Sequence, residues 1–117
     1  MQHQKQNRTF GRSRSQRTAL MRGLAISLFT EGKIQTTTAK AKELRPFAER
    51  LITYGKINSV SSRRNAASVL GEPRANIIKK LFDEIAPKYI ERNGGYTRIV
   101  KMGRAQSGRD EAVIELV

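Results

Sequence analysis

Apolar residues recur along the chain at two spacings, and the change from one to the other predicts the fold. Leu20, Leu24 and Leu28, with Met21 and Ala25 beside them, repeat at i, i+4 and i+8 within SQRTALMRGLAISLFTEG. That spacing lays an apolar stripe along one face of a helix. Ser13 or Ser15 suits its N-cap, and Gly32 suits a left-handed turn after its end. KIQTT (33–37) is short and rich in β-branched residues and reads as a strand. A second helix follows, capped by Thr37 or Thr38, with Leu44, Phe47, Ala48, Leu51 and Ile52 as its buried face. Pro46 interrupts it. In a helix interior proline deletes one backbone hydrogen bond and costs about 3 kcal/mol, so either a kink or a new segment is expected there.

NSVSSRRNAASVLG reads as a short helix, with Ser59 or Ser61 as cap and Gly71 as stop. In EPRANIIKKLFDEIAP, Pro73 suits a first helical turn, Ile77, Ile78, Leu81, Phe82 and Ile85 form an apolar face, and Pro87 ends the run. The period then changes. YTRIVKM (96–102) and AVIELV (112–117) are rich in β-formers and are joined by the polar GRAQSGRDE, which predicts two strands. The order α-β-α-α-α-β-β predicts an α+β fold in two layers, a small three-stranded mixed sheet packed with helices. Residues 1–13 are expected to form an extended arm and 14–117 a single globular α/β domain.

Charge alters the picture most at the start of the chain. The 23 Lys/Arg against 10 Asp/Glu give +13, a surplus that repels itself unless a polyanion neutralises it. Residues 1–30 hold six bases and no acid, whereas residues 91–117 hold five bases and four acids. An acid-free basic N-terminus with serines fits either a transit peptide or an arm lying on nucleic acid. A transit peptide requires an amphipathic helix, yet Phe10 is the only large apolar side chain in residues 2–18, which favours the arm. Each Lys or Arg that meets a phosphate releases condensed counterion, so these bases can supply much of the affinity for a folded RNA or a duplex.

The residues give little support to catalysis. His3 is the only histidine, there is no cysteine, and no GxxxxGK[ST] phosphate loop occurs, so no cofactor or metal is expected. No apolar run approaches the roughly 18 residues of a membrane span. Seven aromatics are spread thinly, without an RNP-type run or zinc-finger spacing, which points to recognition of shape and phosphate. A nucleoid-type DNA-binding protein and an RNA-processing accessory protein are the alternatives. The first is disfavoured by the lack of a DNA-reading motif, the second by the lack of a site.

Beyond these patterns, several blocks resemble the bacterial large-subunit ribosomal protein seventeen family over essentially the whole length. They are His3 and Lys5, QRTAL, TTTAKAKELR (36–45), KLFDEIAPKY (80–89), RNGGYTRIVK (92–101) and the closing VIELV. The resemblance implies a cytoplasmic structural component of the large subunit, without enzymatic activity or small-molecule substrate. It also implies binding to large-subunit rRNA beside other ribosomal proteins near the polypeptide exit region. Carried over residue by residue, it implies rRNA contacts from His3, Lys5, Arg8, Arg12, Arg14, Arg17 and Arg22, then Lys40, Lys42 and Arg98. The basic pairs and clusters of the chain add Arg63, Arg64 and Lys101 as candidates. Gln2, Asn7 and Gln16 depart from the family's usual basic residue, glycine and histidine, and leave an organellar relative open.

Deleting residues 2–17 is expected to leave the core folded, weaken RNA binding and flatten its dependence on salt. Binding titrations from low to high salt measure this, and an unchanged slope would take the arm off phosphate.

Overall fold

The computed structural model describes residues 13–106 and 108–117. The expected arm contacts at His3, Lys5, Arg8 and Arg12 therefore lie outside the described residues, as does Phe10. The first helix, α1, spans Arg14–Glu31. Its N-cap is Ser13, which closes a reciprocal box with Gln16. The Gln16 amide donates to Ser13 Oγ at 3.3 Å, and the Ser13 amide donates to Gln16 Oε1 at 3.2 Å. Gln16 thus has a local role as the partner of the N-cap. Arg14 and Arg17 belong to this helix, so a deletion meant to remove only the arm ends at Arg12. Met21, Ala25, Leu28 and Phe29 are buried, and Leu20 and Leu24 sit at the margin of the core. At Gly32, φ of 83° lets the amide reach the Leu28 carbonyl at 2.7 Å, and the chain reverses into β1, Lys33–Thr37.

Helix α2, Thr38–Ile57, begins at the N-cap Thr37, whose Oγ1 accepts from the Lys40 amide at 3.3 Å. It runs unbroken through Pro46, so no new segment starts there. Pro46, Lys42 and Arg45 are exposed, which leaves the Lys42 carbonyl that Pro46 cannot engage on the solvent side. The buried face is Ala41, Leu44, Ala48, Leu51, Ile52 and Gly55, while Phe47 is only half-buried. Helix α3, Val60–Val69, is capped by Ser59 in a box with Ser62.

The fourth helical stretch is a continuous run of three windings. Helix α4 covers Ala75–Lys80, a π-wound turn covers Leu81–Ile85 and a 3₁₀ turn covers Ala86–Tyr89. Pro73 lies outside the first turn, because Arg74 is the N-cap. Pro87 opens the last turn instead of ending the helix, at a position where its missing N–H is tolerated.

Strands β2, Thr97–Arg104, and β3, Asp110–Leu116, complete a sheet of order β1-β3-β2. Both pairings are antiparallel, from Lys33↔Glu115 to Thr37↔Glu111 and from Thr97↔Leu116 to Arg104↔Asp110. The expected mixed sheet is thereby corrected. β1 and β2 both run opposite to β3, so they are parallel to each other but never adjacent. A bulge at Met102 shifts the register between Lys101 and Gly103. Ala112 and Ile114 are fully buried, with Ile34, Ile99 and Leu116 packed against the same core, so one sheet face meets the helices.

Polar ties fix the sheet to α2. Glu49 accepts from the Thr97 hydroxyl at 2.8 Å and the Thr97 amide at 3.2 Å. Lys56 donates to the Arg92 carbonyl and, at 2.8 Å, to the Tyr96 hydroxyl, which holds that phenol below its usual pKa. Tyr89 packs on Tyr96 with ring centroids 5.1 Å apart and donates to the Val117 carbonyl at 2.8 Å.

Two glycines give a paired test. A Cβ on Gly55 would stand 2.6 Å from the Ala86 Cβ, whereas one on Gly23 meets nothing within 4 Å. Gly23→Ala is expected to stabilise by about 0.5–1 kcal/mol through helix propensity. For Gly55→Ala the overpacking of about 1–3 kcal/mol exceeds that gain, so the protein is destabilised. Urea unfolding of the two variants measures both signs.

Candidate nucleic-acid interface

Basic side chains fall into two groups, those engaged inside the fold and those turned outward. Arg22, on the third turn of α1, donates from Nε to the Val69 carbonyl at 2.9 Å and from Nη2 to the Ser68 carbonyl at 3.4 Å. It satisfies the Val69 carbonyl at the end of α3 and adds a second donor to the Ser68 carbonyl, which also accepts from the Gly71 amide at 3.1 Å. Lys80 does the same for α1 through the Thr30 carbonyl at 2.9 Å. Arg63 bridges Asn58 Oδ1 at 3.2 Å and Asp83 Oδ1 at 2.9 Å, and its guanidinium lies 4.8 Å from the centroid of Phe82. Arg98 pairs with Glu115 across the sheet at 2.8 Å.

The second group has a different address. The β2–β3 hairpin and the start of α2 lie at one end of the sheet, because Thr37 is in register with Glu111 and Arg104 with Asp110. An open concavity of about 380 Å³ lies there, lined by Thr37, Thr38, Ala39, Lys42, Arg109 and Asp110. Arg104 stands over Asp110 at 3.5 Å, with both side chains largely exposed. Lys101 is exposed on the neighbouring stretch of β2, and Lys40 is half-buried on the first turn of α2. Among the described residues, the side chains of Lys40, Lys42, Lys101 and Arg109 have no hydrogen-bond or ion-pair partner. Asp110 pairs with Arg104 alone, so the four other cations here are left uncommitted. Such an end suits phosphate, which gains from uncommitted Lys and Arg and loses little to solvated neighbours.

The remaining candidates are dispersed. Arg64 is exposed on α3, Arg14 is exposed at the first turn of α1, and Arg17 is half-buried one turn on. α1 ends at Gly32, whose carbonyl accepts from the Leu116 amide at 2.9 Å. Residues 1–12 therefore join the far end of an 18-residue helix, about 27 Å from that contact. Arg109 was not singled out from the sequence. It sits in a polar turn, and only the pairing of β3 with β1, with Thr37 in register with Glu111, brings that turn beside Lys42. Among the described residues no group of three His, Asp or Glu is placed to hold a metal ion, and no helix is long and apolar enough to cross a membrane.

Comparison with known proteins gives this basic surface its context. The family model described as Ribosomal protein L17 matches residues 20–117. The chain belongs to the ribosomal protein L17 family. Its relatives include the large ribosomal subunit protein bL17 of Fusobacterium nucleatum, 49% identical over the full length of both chains. That of Thermodesulfovibrio yellowstonii is 47% identical over the whole of this chain and 87% of its own. That of an Exiguobacterium species is 50% identical over 92% of this chain and 95% of its own.

The two groups of cations respond differently to mutation. Replacing Lys42 and Arg109 together by alanine is expected to lower RNA affinity and reduce the slope of log K against log salt by about one unit per lost phosphate contact. Arg63→Ala is expected to leave the slope unchanged and lower unfolding stability by about 1–2 kcal/mol, the sum of a half-exposed ion pair and a cation–π contact. Filter binding at several salt concentrations, with urea unfolding alongside, separates the two effects.

Proposed function

We propose that the chain is a structural constituent of the large subunit of a cytoplasmic bacterial ribosome, where it binds large-subunit rRNA. The observation that carries this reading is the full-length likeness to proteins named for that subunit. The +13 charge and the outward cations at the hairpin end of the fold support it. The chain acts without chemistry of its own, by neutralising phosphates where rRNA segments pack closely.

In this reading residues 1–13 are the rRNA-binding arm and 14–117 the globular part. His3, Lys5, Arg8, Arg12, Arg14 and Arg17 supply the arm's end of the interface. Lys40, Lys42, Arg64 and Lys101 extend it, and Arg109 joins them. Arg22, Arg63 and Arg98 would have to exchange contacts inside the fold for phosphate, so their first role is to hold the surface in shape. A position near the polypeptide exit region, beside other proteins of the subunit, completes the proposal.

The chain is expected to co-sediment with large subunits after a salt wash that strips loosely bound factors. Recovery only in the post-ribosomal supernatant would overturn the reading.

A further inference from the structure

The helices cover one face of the sheet. The other carries the outward residues of each strand, and among the described residues nothing covers it. One row across it is Lys33, Glu115 and Arg98, and the next is Gln35, Val113 and Val100. Val100 is 45% exposed, and neither it nor Val113 packs on the core, unlike Ile34, Ile99 and Leu116 on the inner face. Charge on this face differs from that of the whole chain. Lys33 and Arg98 are matched by Glu115 and Glu111. Arg98 closes on Glu115 at 2.8 Å, and Gln35 donates to Glu111 at 3.4 Å. In a chain of +13 this is a charge-balanced surface, with Arg98, Glu115, Gln35 and Glu111 already paired around two valines.

We propose that this outer sheet face is a protein-contact face, which in the assembled large subunit receives an apolar patch of a neighbouring ribosomal protein over Val100 and Val113. The inference rests on the reading of the chain as a large-subunit component. RNA is the poorer occupant. Phosphate binding is driven by release of counterions from uncompensated Lys and Arg, and here two carboxylates cancel the two cations. A second copy is also a poor occupant. Three strands about 4.8 Å apart and five residues long make a patch of roughly 240 Å². A stable pair needs about 800 Å² per partner. A surface of this size serves a contact made within an assembly that holds both partners by other means.

The test places a photoreactive p-benzoyl-phenylalanine at position 100 in one variant and at position 42 in another, each assembled into large subunits and irradiated. Adducts are identified by mass spectrometry, with nuclease treatment to reveal RNA. The expected result is a position-100 adduct to a peptide of another large-subunit protein, and a position-42 adduct to rRNA. A position-100 adduct to rRNA, to residues 1–12 of the same chain or to a second copy would overturn the inference. So would the absence of a protein adduct at position 100 while position 42 reacts. In each of those outcomes the chain is still present in the subunit, whereas its absence from the subunit would instead overturn the proposed function.

Discussion

The structure depends on how closely other elements approach the buried face of α2. Ala41, Ala48 and Gly55 recur every seven residues along it, with Leu44 and Leu51 between them. The alternation of small and large side chains lets neighbours seat deeply at the small positions while the leucines fill the space beside them. At Gly55 the approach is close enough that Ala86 occupies the room a side chain would need. α1, α3, all three strands and the segment from Leu81 to Tyr89 contact this helix. Glu49 and Lys56 add polar ties on its flank to the start of β2 and to the segment before it.

That central packing explains how a strongly basic chain tolerates its own charge. Several cations are held at carbonyls that their helices leave unsatisfied, or opposite a carboxylate, where a positive charge is favourable in the folded state. Arg22 at the end of α3, Lys80 at the end of α1 and Arg63 over Phe82 are of this kind. Among the described residues, Lys40, Lys42, Lys101 and Arg109 have no such partner, and a polyanion would compensate them. The division is also spatial, with uncommitted charge gathered near the hairpin and the start of α2, and matched charge on the outer sheet face.

Element types were legible in the sequence because long apolar side chains mark them. Leu28, Leu44, Leu51, Ile77 and Ile114 announce their faces by spacing. Ala41 and Gly55 did not, since a small residue buried for its smallness looks the same as one left at the surface. The mixed sheet was a misreading of connection: which strand lies in the middle depends on the last strand inserting between two others, and local pattern carries no trace of that. Among the cations, spacing showed which were numerous but not which were engaged. Arg22 and Arg63 meet partners 47 and 20 residues away, and Arg109 meets Lys42 only across the sheet. The sequence likeness supplied the family, and residue spacing alone would have stopped at a basic α+β protein for a structured polyanion.

The strand order has a consequence for the timing of folding. β3, the last element in the chain, is the middle strand, so β1 and β2 have no partner in the sheet until residues 110–116 have been made. The 72 residues from 38 to 109 separate the end of β1 from the start of β3, and closing that loop is a non-local step with a large entropic cost. The helices can collapse on one another during synthesis, but the sheet cannot begin to template on its earlier strands. The nascent chain therefore carries an open apolar helix layer and all 23 of its Lys and Arg before its final strand arrives. A polyanion that meets the chain then encounters the charge before the completed fold.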